Sequence, residues 1–188
     1  MSTRIVGGER RGATLRTPRG EKTRPTLARV RKSLFTILAP VLPGARVLDA
    51  FAGCGALGLE ALSRGAREVV FVEKSRSALE ALRANILHLD WDDRATVEQR
   101  NALSWFQDPG GESAPFDLIF LDPPYSQDLI HRSLELLGVH HEQMLARDGI
   151  VVAQAGIRDR IDETYGPLIQ VRSRVYGETR IAFHELAD

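Results

Sequence analysis

A chain of 188 residues with 43% hydrophobic content can bury one substantial core and leaves little room for a second independent domain. Its one cysteine, Cys54, excludes an internal disulfide framework and a cysteine-rich zinc site. No apolar stretch approaches the roughly 20 residues needed to span a bilayer, and Met1-Ser2-Thr3-Arg4 does not open a signal-type apolar core, so a soluble, cytoplasmic protein is expected.

Formal net charge is zero, yet residues 1–32 carry eight arginines and two lysines against Glu9 and Glu21, a local +8 that leaves −8 on the remainder. Within that basic end, Arg4-Ile5-Val6-Gly7-Gly8 and Ala13-Thr14-Leu15-Arg16 read as two short strands joined by a Gly/Arg turn. Arg24-Pro25-Thr26 then opens a helical pattern in which Leu27, Val30, Leu34, Ile37 and Leu38 recur at spacings of three and four. Arg29, Arg31 and Lys32 lie off that stripe, which predicts an amphipathic helix with a basic outer side. Hairpin and helix together form a candidate nucleic-acid surface, with Arg24, Arg29, Arg31 and Lys32 as its phosphate contacts. Pro40 and Pro43-Gly44 end the helix and mark the expected boundary between a basic extension, residues 1–43, and a second unit, residues 44–188.

From Ala45 onward strand and helix alternate. Strands are predicted over 46–50, 68–73, 95–99, 116–121 and 150–155, helices over 57–64 and 75–89, and further helical segments around 102–106 and 129–144. Strands separated by helices imply right-handed βαβ units and a parallel sheet covered on both faces. Residues 168–176 and 179–185 are separated only by Gly177-Glu178, too short for a crossover helix, so they are expected to pair antiparallel at one edge. The expected fold is α/β: a Rossmann-like, mostly parallel seven-stranded sheet with antiparallel C-terminal edge strands and a small N-terminal hairpin and helix. Trp91 and Trp105 read as packing, His140-His141 as a polar helix surface, and no metal site is expected.

Gly53-Cys54-Gly55-Ala56-Leu57-Gly58 spells G-x-G-x-x-G after the first strand of this unit and at the start of a helix. There the glycines permit a tight turn, close backbone approach to a ligand and close helix packing. Glu73 lies 24 residues beyond Asp49, near the usual distance for an acid that accepts hydrogen bonds from ribose hydroxyls. A pyrophosphate wants a helix N-terminus free of nearby negative charge. Asp49 just before the loop favours instead the amino group of a methionine moiety, and hence S-adenosylmethionine over a dinucleotide. Phe51 beside the loop and Lys74 beside Glu73 join the expected cofactor set.

Asp122-Pro123-Pro124-Tyr125 follows the apolar run 116–121. Two prolines fix their own φ and remove two backbone donors, leaving carbonyls that only accept. With the Asp122 carboxylate, those acceptors suit the two hydrogens of an exocyclic amine on a nucleobase, and the Tyr125 ring can stack on the base. The same geometry suits guanine N2 and adenine N6, of RNA or of DNA. A nucleotide-cofactor oxidoreductase and an inert RNA-binding protein are the rivals of other classes.

The run from Asp49 to Ala66, with Arg24-Pro25-Thr26 upstream, Asp122-Pro123-Pro124-Tyr125 downstream, and Ile5-Val6-Gly7-Gly8 and Tyr176-Gly177-Glu178-Thr179 at the two ends, resembles the bacterial 16S ribosomal RNA guanine-N2 methyltransferase family. The resemblance implies a class I S-adenosylmethionine-dependent fold, a guanine in a small-subunit rRNA loop as substrate, and an assembled or assembling small ribosomal subunit as its context. Two positions depart from that pattern: Cys54, where Ser or Thr is more usual, and Asn101, where Asp is common; by the resemblance Asn101 is expected to donate or accept at the adenine edge, with Ala102 packing on the ring.

Overall fold

The structure is a computed structural model that describes residues 3–18, 25–108, 114–124 and 128–187, with only the backbone described at residues 25–28. β1 (Thr3–Arg4) and β2 (Thr14–Leu15) pair antiparallel, with Thr3 opposite Leu15. The ladder runs on beyond these strands, since the Ile5 amide donates to the Ala13 carbonyl at 3.0 Å and the Gly12 amide to that of Ile5 at 2.9 Å. Helix α1 (Pro25–Ile37) follows.

The main sheet contains β3 (Arg46–Asp49), β4 (Glu68–Val72), β5 (Ala95–Glu98), β6 (Phe116–Leu121), β7 (Leu145–Gly156), β8 (Thr164–Tyr165), β9 (Leu168–Tyr176) and β10 (Thr179–Leu186). Their spatial order is β5-β4-β3-β6-β7-β10-β9-β8. β3 to β7 are parallel, and β10 runs antiparallel to both β7 and β9. This is the expected α/β sheet with one addition. An eighth strand, β8, pairs only Thr164 with Ile169 and Tyr165 with Leu168, and two residues carry no periodicity that a sequence could display.

The crossovers are α2 (Ala56–Ser63), α3 (Arg76–Leu89), α4 (Ala102–Gln107) and the pair α5 (Leu129–Val139) and α6 (His141–Met144). The helical run expected over 129–144 is thus broken at His140, whose φ of −106° and ψ of 18° leave the helical well. Among the described residues no helix is long and apolar enough to cross a membrane.

Alternation along β6 divides the core in two. Leu118 and Phe120 face a cluster built by α1, α2, α3 and the hairpin, while Ile119 and Leu121 face one built by α4 and α5. The N-terminal extension is part of the first cluster. Ile5, Leu15, Val30, Leu34, Phe35 and Leu38 are buried there beside Val47, Leu59 and Phe71, and the Phe35 ring lies 5.7 Å from that of Phe120. Each such side chain contributes about 1.5–3 kcal/mol by leaving water, so α1 is held on the sheet by burial rather than by its own propensity. Trp91 and Trp105 are buried as packing residues.

The chain builds β3, β4 and β5 outward in one direction, then returns to lay β6 against the other side of β3. That reversal opens a crevice beyond the carboxyl ends of β3 and β6, where an open α/β sheet binds its ligand. Asp49 closes β3 and Asp122 follows β6.

Candidate active site

Each glycine of the loop has a distinct steric reason. Gly53 has φ +55° and would meet no heavy atom within 4 Å if it carried a Cβ, so its backbone faces open space. Gly55 caps α2 at φ +88°, with Leu82 and Leu59 packed where a side chain would stand. Gly58 would bring a Cβ to 2.3 Å from the Phe71 ring, and only hydrogen lets α2 lie this close to β4. Turn, approach and packing are thus served by three different residues.

Three carboxylates converge on this loop. Asp49 is buried; its Oδ2 accepts from the Gly58 amide at 2.9 Å and its Oδ1 is buried without a partner among the described residues. Burial pushes its pKa up to about 7, the Gly58 hydrogen bond opposes the rise, and the charges of Asp122 and Glu73 add to it. Glu73 accepts from the Gly53 amide at 2.8 Å and from the Ser75 amide at 2.7 Å, tying the loop after β3 to the loop after β4. Asp122 is half-buried at the residue level, but its carboxyl is desolvated and rises to about 7, held back by a hydrogen bond from the Gln154 side chain. Two carboxylates raised by burial beside a third, with one orphaned oxygen, fit a ligand that brings positive charge. A sulfonium and an ammonium group supply it.

The remaining expected residues distribute as follows. Phe51 is partly buried beside the loop, packed against the α4 and α5 cluster, and Lys74 is exposed next to Glu73. Asn101 caps α4, its Oδ1 accepting from the Leu103 amide at 2.9 Å, and Ala102 is buried below it. The acceptor end of Asn101 is therefore engaged in capping the helix. Pro123 is buried and Pro124 exposed. Tyr125 and Arg24 lie outside the described residues.

Of the four expected phosphate contacts, Arg29 and Lys32 are exposed on α1. Arg31 is not on that outer side. It is only 9% exposed, its guanidinium donates to the Arg4 carbonyl, and burial lowers its pKa while Glu60 opposes the fall. The helical stripe is wider than the apolar residues suggest, and Arg31 is part of it, bracing α1 against β1.

Residues that the sequence reading passed over connect extension and loop. Glu60 on α2 is fully buried, its two oxygens accepting from the Val6 amide and the Arg64 Nε at 2.7 Å each. Ser63 donates to the Gly7 carbonyl at 2.6 Å and accepts from the Arg10 amide at 3.0 Å, and a Cβ on Gly8 would meet the Ser63 carbonyl at 1.8 Å. A Glu and a Ser inside the apolar run of a short helix were the available signal, since polar groups there need buried partners. Gln154, a lone amide within the apolar run of β7, was the corresponding signal for Asp122.

A family model described as conserved hypothetical protein 95 matches residues 3–185. Ribosomal RNA small subunit methyltransferase D of Escherichia coli (strain K12) is 34% identical over 182 residues, covering 97% of this chain and 89% of that protein. YlbH of Bacillus subtilis (strain 168) is 35% identical over 182 residues, covering 97% of this chain and 98% of that protein. Among solved structures, the Escherichia coli protein yhhF matches with a TM-score of 0.86 at 31% identity, over 100% of this chain and 99% of that one.

Proposed function

The chain belongs to the conserved hypothetical protein 95 family, and from that premise we propose that it transfers the methyl group of S-adenosylmethionine to the exocyclic N2 amine of a guanine in 16S ribosomal RNA. The observation that carries this reading is the meeting of Asp49, Glu73 and Asp122 around the Gly53 loop, with a buried carboxyl poised near neutrality at the mouth of the crevice. A substrate within an assembled or assembling small subunit, in the cytoplasm, is part of the same proposal.

When bound, S-adenosylmethionine supplies an electrophilic methyl on a positively charged sulfur. Asp49 would face the methionine amino group, Glu73 the ribose hydroxyls, and Asn101 with Ala102 the adenine, while Phe51 and Lys74 would flank them. Asp122 and the Pro123 carbonyl accept the two hydrogens of the guanine amine, turning its lone pair out of conjugation with the ring. The amine would shed one proton as its new C–N bond forms and the methyl–sulfur bond breaks, its electron pair returning to the sulfur, and a carboxylate with a pKa near 7 is suited to hold that proton. Tyr125 stacks on the base, which must leave its loop to reach the crevice. Residues 1–43 serve as the RNA-binding arm of a catalytic unit formed by residues 44–188, with Arg24, Arg29 and Lys32 against phosphates.

The test is incubation with labelled methyl donor and small subunits lacking the modification, followed by mapping of the label. Label on N2 of one guanine is expected, and inosine at that position, which lacks the amine, should take none. Label on adenine N6 would replace this reading with the rival amine.

A further inference from the structure

We propose that β9 carries the RNA surface past α1, with Arg172 and Arg174 holding backbone phosphates next to the target base; the inference rests on the rRNA methyltransferase reading. Register places these arginines. Leu121 is paired with Ala153 across β6 and β7, so the following residues, Asp122 and Gln154, stand side by side. Gln154 is opposite Ile181 on β10, and Ile181 is opposite Arg174 on β9. Asp122 and Arg174 therefore end one row across the sheet, three strand spacings apart, about 14 Å.

The face is decided by the same ladder. Directly opposed residues of antiparallel strands share a face, so Arg174 and Arg172 go with their partners Ile181 and Phe183. Those two partners are buried in the cluster under α1. Tyr176 lies on the same face, and its hydroxyl meets Ser33 Oγ of α1 at 2.7 Å. Arg29 is one helical turn before Ser33 and shares its side of α1. The exposed cations of α1 and the two arginines of β9 thus flank one seam that leads toward Asp122.

Exposure distinguishes this strand, and its cations are unpaired among the described residues. Residues 171–175 are exposed at every position, although strand residues normally bury one face, and the opposing stretch 181–184 of β10 is buried throughout. Among the described residues, Arg29, Lys32, Arg172 and Arg174 are exposed without a carboxylate partner, as are Arg11, Arg83, Arg132, Arg147 and Arg158 elsewhere on the surface, so it is their place beside the row of Asp122 that singles them out. Unneutralised cations gathered beside a reaction centre raise the local concentration of a polyanion, and a guanidinium matches phosphate geometry with two parallel donors.

The experiment compares Arg172→Glu/Arg174→Glu with the wild-type protein, using small subunits lacking the modification as substrate. The inference expects KM for the subunit to rise at least tenfold and the log–log salt dependence of binding to flatten by about two, one for each lost phosphate contact. Melting temperature, affinity for S-adenosylmethionine and kcat at saturating subunit should stay as in the wild type, and the Arg172→Gln/Arg174→Gln pair should show a smaller KM effect in the same direction. A charge-reversed variant with unchanged KM and salt slope, beside an active wild type, overturns the assignment. A wild-type protein that methylates no small-subunit RNA would instead sink the parent reading, and this one with it.

Discussion

Asn85 donates from its side-chain amide to the carbonyl oxygen of Cys54 at 2.9 Å. The same nitrogen donates to the Arg16 carbonyl at 3.0 Å, and its Oδ1 accepts from the Arg16 amide at 2.7 Å. One buried residue of α3 thus ties the exit of the hairpin to the glycine loop. Asn85→Ala leaves three backbone groups without partners and should cost about 2–4 kcal/mol. It should also weaken S-adenosylmethionine binding severalfold through a looser loop. Urea unfolding and titration calorimetry read both effects, and a variant with wild-type stability would show that the staple is idle.

Gly53 and Gly58 separate ligand approach from packing. Gly58→Ala forces a Cβ against Phe71 and should lose about 1–3 kcal/mol of stability. Gly53→Ala meets nothing in the protein and should cost only about 1 kcal/mol for its positive φ, yet abolish cofactor binding. Thermal melts with and without S-adenosylhomocysteine distinguish them; a Gly53→Ala protein still stabilised by the ligand would contradict the placement of the cofactor.

Asp122→Ala should abolish turnover while cofactor affinity stays within a few-fold. In the intact enzyme the rate at saturating substrates should rise with pH and level off above about 7, because the ionised carboxylate is the working form. The Gln154 hydrogen bond lowers this pKa, so Gln154→Leu should move the inflection to higher pH. A rate profile that shifts downward, or stays put, would remove Gln154 from that role.

Asp49 and Asp122 also link pH to folding. Both ionise near 7 in the folded protein and near 3.8 when unfolded, so between those values the folded chain holds more protons. Their contribution to stability is present at low pH and falls as pH rises from about 4 to 7. A cationic ligand offsets the lost protons. The melting-temperature gain from S-adenosylmethionine should therefore exceed that from S-adenosylhomocysteine, which keeps the ammonium but lacks the sulfonium charge, by a margin that widens from pH 5.5 to pH 8; an unchanging margin would argue that the ionised carboxylates do not sense that charge.

Arg31 and its neighbours should part company under mutation. Arg31→Ala removes a buried brace between α1 and β1 and should destabilise by about 2–3 kcal/mol. Arg29→Glu/Lys32→Glu should leave unfolding unchanged and weaken RNA binding in a salt-dependent way. Equal stability losses from both would mean that the basic face of α1 is structural.

Much of the architecture was legible in the chain because hydrophobic period and glycine chemistry are local. The switch from period 3.6 to period 2 located the crossovers, Gly53, Gly55 and Gly58 announced a turn that only their lack of a side chain permits, and Gly177-Glu178 was too short for anything but a reversal. Arg31 shows where that legibility stops. Its charge argued for solvent, and only the approach of the Arg4 carbonyl and of Glu60 shows what a buried guanidinium gains.

By itself the sequence determined most of the segments that become strands and helices, which carboxylates end strands, and which loop can approach a ligand closely. Tertiary structure decided how they combine: that Asp122 and Glu73 help raise Asp49, that Gln154 steadies Asp122, that Asn85 joins hairpin to loop, and that Arg174 stands in the row of Asp122. Those relationships depend on strand order and register, which bring residues dozens of positions apart into contact. Burial then converts that contact into shifted pKa values and obligatory hydrogen bonds, and neither exists in the extended chain.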